Sequence, residues 1–291
     1  MAKYFYFLLF IICIMQNNTA FSQTQLYGLS YSGGSDQYGT IFHYTPSDET
    51  QMVDFSFSSP YPGAAPMYTK LTDVGNGKLY GMTSGGDGIN AGGVIFEWDP
   101  LTNEYIKKYR WLYTNNPGNT PWGTLTLYNG KLYGTTRWGG NNGDGVIFEY
   151  DYVNNIYTKK FDFIEATGAE PKGSLVMVNG KFYGMTSMGG ANNLGVIFDW
   201  DPATNVYTKR YDLSTTSGTK PDGDLVYYNG LLYGVAYSGG SNNYGTIFSF
   251  NPSTGAFTLK LNMASATGGY STSTMVMRNN KFYGTTRLGG A

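Results

Sequence analysis

The sequence predicts an all-β protein built from repeated four-stranded antiparallel sheets, and three observations predict it. A Tyr-Gly pair recurs at Tyr27-Gly28, Tyr80-Gly81, Tyr133-Gly134, Tyr183-Gly184, Tyr233-Gly234 and Tyr283-Gly284, at spacings of 53, 53, 50, 50 and 50 residues. Such a period marks a repeat architecture and overrides the two domains that 291 residues would otherwise suggest. The composition, with 41 Gly, 27 Tyr and only 13% charged residues, suits short strands and tight turns rather than helices. Finally, Asn-Gly separates two apolar runs in unit after unit, a strong short-range signal for a β-hairpin.

The N-terminus stands outside the repeat. Lys3 precedes an apolar run from Tyr4 to Met15, and small residues follow at Ala20 and Ser22. This is the layout of a secretory signal, with cleavage after Ser22, which divides the chain into a leader, 1–22, and a repeat domain, 23–291. The run falls short of the roughly 20 apolar residues of a membrane span, so no span is expected after cleavage; a retained anchor is the alternative. Cys13, the sole cysteine, lies in the leader, so the mature chain is expected to hold neither disulfide nor reactive thiol.

Within a unit, the first strand is an apolar run such as Leu175-Val176-Met177-Val178. Asn179-Gly180 then turns the chain, since both residues tolerate the positive φ of a type I′ turn. Strand two, Lys181-Phe182-Tyr183-Gly184, runs to the pair Gly189-Gly190, and an Asn-rich loop leads to strand three at Val196-Ile197-Phe198. Three successive apolar residues predict burial on both faces. Asp201-Pro202, with Asp99-Pro100, Asn251-Pro252 and Thr45-Pro46 in the same place, opens a turn into a mixed-polarity outer strand, residues 206–213. One such sheet cannot cover its own two faces, so units must stack. Units of this size point to a β-propeller, with a β-solenoid as the rival. The count is three strands, four complete blades and two strands: five blade-equivalents and a partial one. Thr274 to Met277 could complete the first blade, but Gly289-Gly290 usually leads into another strand, which favours a fragment of a larger propeller.

The order apolar strand, Asn-Gly, Lys-Phe-Tyr-Gly, Gly-Gly, apolar strand, Asp-Pro resembles a kelch repeat. Its more specific form, Leu-Tyr-Gly-Thr-Thr-x-x-Gly-Gly followed by Gly-Thr/Val-Ile-Phe, resembles the GloVer-type tandem repeats of secreted bacterial proteins, over residues 25–291. That resemblance implies a secreted or cell-surface repeat protein and carries no general activity. Such proteins often end in an anchoring or sorting segment, and this sequence shows none.

Chemistry is sparsely marked. With 19 basic and 20 acidic residues and no basic cluster beyond pairs, nucleic acid is not an expected partner. His43 is the single histidine, too few for zinc and without marked triad partners. The loops Asn141-Asn142-Gly143-Asp144-Gly145 and Asp87-Gly88-Ile89-Asn90 are oxygen-rich, as calcium prefers, but related loops lack carboxylates and turn geometry explains them. No cofactor or metal is expected. Glu97, Glu149 and Asp199 recur on strand three and could form a ring of acids for glycoside hydrolysis, yet recurrence at one position points instead to partners for the strand-four bases.

What remains is a loop face carrying Tyr31, Trp111, Tyr113, Trp122, Arg137, Trp138, Tyr237 and Tyr244, with Tyr61 and Tyr270 nearby. Aromatic rings beside amides suit glycan or peptide ligands. The expectation is therefore a monomeric, secreted or cell-surface, non-enzymatic propeller that binds glycan or protein. A carbohydrate-active hydrolase or lyase and a structural spacer are the alternatives.

Overall fold

The computed structural model describes residues 12–13, 25–58, 63–86, 90–114 and 117–290. These hold 23 strands and no helix, so no helix among them is long and apolar enough to cross a membrane. Sheet one comprises β1 (Ile12–Cys13), β2 (Leu26–Ser30), β3 (Thr40–Thr45) and β4 (Thr50–Ser56). Sheet two comprises β5 (Thr72–Asp73), β6 (Leu79–Thr83), β7 (Ala91–Asp99) and β8 (Glu104–Leu112). Sheet three comprises β9 (Thr126–Tyr128), β10 (Lys131–Thr136), β11 (Val146–Asp151) and β12 (Ile156–Asp162). Sheet four comprises β13 (Ala169–Pro171), β14 (Val176–Val178), β15 (Lys181–Met188), β16 (Val196–Asp201) and β17 (Val206–Asp212). Sheet five comprises β18 (Val226–Tyr228), β19 (Leu231–Ala236), β20 (Thr246–Phe250) and β21 (Phe257–Asn262), and β22 (Val276–Arg278) and β23 (Lys281–Tyr283) form a final hairpin. Strands pair antiparallel with their sequence neighbours throughout, apart from β13, which pairs β15.

Two strands exceed the 21 expected. β13 is the loop segment that makes isolated bridges elsewhere, as at Asn119 with Trp138 and Thr219 with Ser238. β1 takes the inner place of sheet one, through Ile12 opposite Tyr27 and Cys13 opposite Leu26. The segment expected to complete sheet one, Thr274 to Met277, instead enters the final hairpin, where Val276 lies opposite Tyr283. The rest of the expected leader lies outside the described residues.

The turns joining β9 to β10, β14 to β15, β18 to β19 and β22 to β23 have positive φ at both central residues, as at Asn129 (47°) and Gly130 (72°) or Asn179 (50°) and Gly180 (82°), whereas in the longer β5–β6 connection Gly75 and Gly77 take it. Between strands two and three, one pairing recurs in five sheets: Gly28 opposite Phe42, Gly81 opposite Phe96, Gly134 opposite Phe148, Gly184 opposite Phe198 and Gly234 opposite Phe248. A Cβ built on any of these glycines would lie 2.4 to 2.6 Å from the phenylalanine Cζ, so the ring occupies the place of the missing side chain. In all five sheets a bulge falls between the Ile and this Phe, adding local twist.

Successive sheets cover one another. Phe198 packs with Tyr133, Ile147 and Phe163 of the preceding unit and with Leu175 of its own, while its neighbour Ile197 packs with Leu225, Leu232 and Phe248 of the following one. Outer strands meet through parallel ring stacks: Phe55 on Tyr105, Tyr109 on Tyr157, Phe161 on Tyr207 and Tyr211 on Phe257, with centroids 4.2 to 4.4 Å apart. Inner strands meet through a directional ladder of hydrogen bonds. Lys70 N donates to Thr124 Oγ1, Thr124 N to Ser174 Oγ, Ser174 N to Asp224 Oδ1 and Asp224 N to Thr274 Oγ1. Backbones approach so closely here that a Cβ on Gly123 would meet Gly173, and one on Gly173 would meet Gly223.

The turn after strand three is held by its first side chain. Asp201 Oδ1 accepts from Ala203 N and Thr204 N, Asp151 Oδ1 from Val153 N and Asn154 N, and Asn251 Oδ1 from Ser253 N and Thr254 N. The Asn154 side-chain amide holds the Asp151 carboxyl below its ordinary value, and the Ala203 N–H does the same for Asp201. A depressed carboxyl pKa stabilises the fold above the unfolded value near 3.9 and loses that contribution as pH falls through the folded value. The variant Asp151→Asn with Asp201→Asn, which copies Asn251, should keep the turns yet show a smaller drop in unfolding midpoint between neutral pH and about pH 3 than the parent. Thermal unfolding across that range measures it.

Candidate functional site

The acids on strand three are engaged in cross-strand pairs. Glu149 accepts from Lys131 Nζ at 2.6 Å and Tyr133 Oη at 2.8 Å, with Lys160 at 3.9 Å. Burial, then the bond to Glu149, pushes the Tyr133 phenol well above its ordinary value. Glu97 pairs with Tyr80 and Lys108, and fully buried Asp199 with Lys181 and Arg210. In the first unit the acid stands on the other strand: His43 is on strand three, and its Nδ1 lies 2.7 Å from Asp54 on strand four. These groups join outer strands to inner ones. The Asn-rich loops are likewise structural, since Asn142, Asn192 and Asn242 each donate through Nδ2 to the carbonyl of Phe163, Leu213 and Met263. Of the Asp87-Gly88-Ile89-Asn90 loop, only Asn90 is described.

These same loops, leaving each strand two, lie beside the loops entering the next unit. Ala65 N donates to Tyr38 O, Thr120 N to Gly92 O, Glu170 N to Asp144 O, Lys220 N to Leu194 O and Tyr270 N to Tyr244 O. All five donors are non-glycine residues with φ between 52° and 55°, a conformation that costs energy for these residue types and recurs only because both neighbouring loops hold it. The strained joint carries its side chains to a shared mouth.

That mouth collects one residue per unit at a fixed register: Tyr68, Trp122, Lys172, Asp222 and Thr272. Tyr68 stands edge-on to Trp122 at 5.4 Å, Lys172 Nζ lies 5.4 Å from the same indole, and Lys172 donates to Asp222 Oδ1 at 2.7 Å. Burial pushes the Tyr68 phenol above its ordinary value; the bond to Thr272 opposes this, and the Asp222 charge adds to it. The same phenol also feels the charge of Arg287. Arg137 lies between two indoles, 4.4 Å from Trp122 and 4.2 Å from Trp138, while its Nε and Nη2 donate to Glu170 Oε2 at 2.9 and 2.7 Å. Tyr270 sits 5.3 Å from both Tyr237 and Tyr244.

The expected loop-face residues are therefore divided. Trp122, Arg137 and Trp138 form one group, and Tyr237 and Tyr244 a second through Tyr270. Tyr31 and Tyr113 are exposed, at 56% and 50%, but join neither group among the described residues, and Tyr61 lies outside those residues. Trp111 must be withdrawn. It is 0% exposed, packed edge-on against Phe148, Tyr109 and Tyr157 between sheets two and three, in the register position that holds Phe57, Phe163, Leu213 and Met263 elsewhere. Tyr68, Lys172, Asp222 and Thr272 were not expected. Their signal was available as a column, counted back from the apolar start of strand one at Leu71, Leu125, Leu175, Leu225 and Met275, in which the residue type changes with every unit.

Arg137→Ala removes a carboxylate bond and two cation–π contacts, so it should lower stability by about 1–2 kcal/mol and shift tryptophan emission to the red as Trp122 and Trp138 lose cover. Urea unfolding followed by fluorescence reads both quantities.

A family model described as the Gloeobacter/Verrucomicrobia repeat matches residues 111–291. No curated protein matches the chain. Among solved structures, the chain is similar to TolB from Acinetobacter baumannii, at 15% identity and a TM-score of 0.51, covering 81% of this chain and 52% of TolB. It is also similar to the extracellular domain assigned to a one-component system of B. thetaiotaomicron, at 12% identity and a TM-score of 0.60, covering 93% of this chain and 31% of that one. The chain thus spans about half of the first structure and under a third of the second, and at these identities the likeness is one of fold.

Proposed function

The chain belongs to the Gloeobacter/Verrucomicrobia repeat family, and from that premise we propose that it is a secreted or cell-surface, non-enzymatic binding module, folded as a β-propeller, whose mouth takes a carbohydrate. One observation carries the reading. The positions that build sheets repeat almost unchanged, while the column Tyr68, Trp122, Lys172, Asp222, Thr272 holds five different chemistries, the first four linked by successive contacts and Thr272 by its bond to Tyr68. A surface free of folding constraints and gathered at one place is where ligand recognition fits.

The chemistry of that surface favours a sugar. The Trp138 indole is 41% exposed and backed by the Arg137 guanidinium, a rigid apolar platform for a pyranose face. Beside it, the pairs Arg137–Glu170 and Lys172–Asp222 offer donors and acceptors for hydroxyl groups without a strong net charge. The strand-three acids are tied into ion pairs, which supports binding over glycoside hydrolysis. The propeller reading is supported by sheets that pack face to face in sequence and by the approach of Tyr68 to Thr272. The location is supported by the extracellular origin of one fold neighbour.

A glycan array probed with the full chain should give a selective signal. Trp138→Ala should weaken the selected glycan by about tenfold or more while lowering the unfolding midpoint no further than Arg137→Ala does. Binding that is indifferent to Trp138→Ala, or no glycan bound at all, would overturn the proposal.

A further inference from the structure

Four interfaces between successive sheets are filled alike, and the fifth is not. Ile41, Ile95, Ile147 and Ile197 are fully buried under the following unit, whereas their counterpart Ile247 is partly exposed. Phe55, Tyr109, Phe161 and Tyr211 each carry a stacked ring from the following outer strand, whereas their counterpart Leu261 is 49% exposed. Between sheet five and the β22–β23 hairpin lies a groove of about 520 Å³, with Val235, Ile247, Met263, Met275, Phe282 and Gly284 along its walls.

The interior of the chain shows what such a groove holds. Two units earlier, the Phe198 ring lies over Gly184 among Ile147, Phe163 and Leu175. The groove presents the same four positions as Gly284, Ile247, Met263 and Met275. Gly284 is exposed, and a Cβ built on it would find Met275 Cγ at 3.4 Å as its nearest neighbour, where the five other glycines of this column find a phenylalanine ring. The hydroxyls of Thr83 and Thr186 accept an N–H of strand three, from Val94 and Val196, and Thr286 stands at the equivalent place.

We infer that this groove is an acceptor for an added β-hairpin with the chemistry of strands three and four of this repeat, Gly-Val/Thr-Ile-Phe, a turn and then an aromatic strand, of which residues 195–213 are the pattern. The partner is a polypeptide segment carrying a further copy of that motif. Its first strand pairs antiparallel with β23 and continues the sheet, so main-chain hydrogen bonds supply affinity. Its phenylalanine seats on Gly284, its first N–H meets the Thr286 hydroxyl, and its outer-strand aromatic covers Leu261. This surface is separate from the mouth and does not depend on the ligand taken there.

The probe is a fluorescently labelled synthetic peptide with the sequence of residues 195–213, titrated with the full chain and followed by anisotropy. Saturable binding is expected, weakened roughly a hundredfold when the peptide carries Phe198→Ala. In the chain, Gly284→Phe places a ring in open space, so the unfolding midpoint should stay unchanged while peptide binding is lost. Absence of saturable binding would overturn the inference, as would binding indifferent to both substitutions. Concentration-dependent self-association of the chain that the peptide does not compete would assign the groove to a second copy by other contacts, and would overturn it equally.

Discussion

A phenylalanine ring laid across the bare Cα of a glycine on the neighbouring strand is the contact on which the rest of the structure depends. Its geometry admits no side chain at the glycine, because a Cβ there would come within 2.4 to 2.6 Å of the ring. It also sets the register, since a slip of one residue would turn the ring to the other face and open the interface with the preceding sheet. The alternation of the pleat then directs Ile toward one neighbouring sheet and Phe toward the other. Face-to-face packing, ring stacks along the outer strands and the hydrogen-bond ladder along the inner ones all assume this register. Over Gly284 no such ring lies among the described residues, and the nearest atom to a Cβ there is Met275 Cγ.

Because the register is fixed by so few positions, the chain is free to vary elsewhere, and the variation falls at one end of the sheets. The joint that brings the loops together uses left-handed backbone at Ala65, Thr120, Glu170, Lys220 and Tyr270, a strain that each loop tolerates through its bond to the preceding unit. Side chains there are constrained by the backbone but not by packing volume. Arg137 and Lys172 are each matched by an acid, so the mouth is polar and nearly neutral, with the indole of Trp138 as its exposed apolar face.

Much of this was legible in the sequence because local chemistry and long-range fold agree in each unit. Asn-Gly gave the hairpins, Asp-Pro and its relatives gave the turns, and three apolar residues in a row gave strands covered on both faces. The functional surface was harder to read, since an aromatic residue looks the same in sequence whether it is packed or presented. Trp111 was misplaced for that reason: its column is apolar in every unit, a pattern visible only when the repeats are compared position by position. Lys172 and Asp222 were passed over for the opposite reason, because isolated charges in a loop carry no motif until the fold sets them 2.7 Å apart. β1 and β13 were missed because inner-edge pairing depends on where a distant segment comes to rest.

The central claim is that the glycine column and the phenylalanine column act as one constraint. A double-mutant cycle tests it most directly, with Gly184→Ala, Phe198→Leu and the pair compared by urea unfolding. If the ring is what excludes the methyl group, shortening the side chain relieves the clash, and the pair should cost less than the sum of the single changes by about 1 kcal/mol or more. Costs that add within about 0.3 kcal/mol would mean that the two positions stabilise the sheet independently, and would contradict the account.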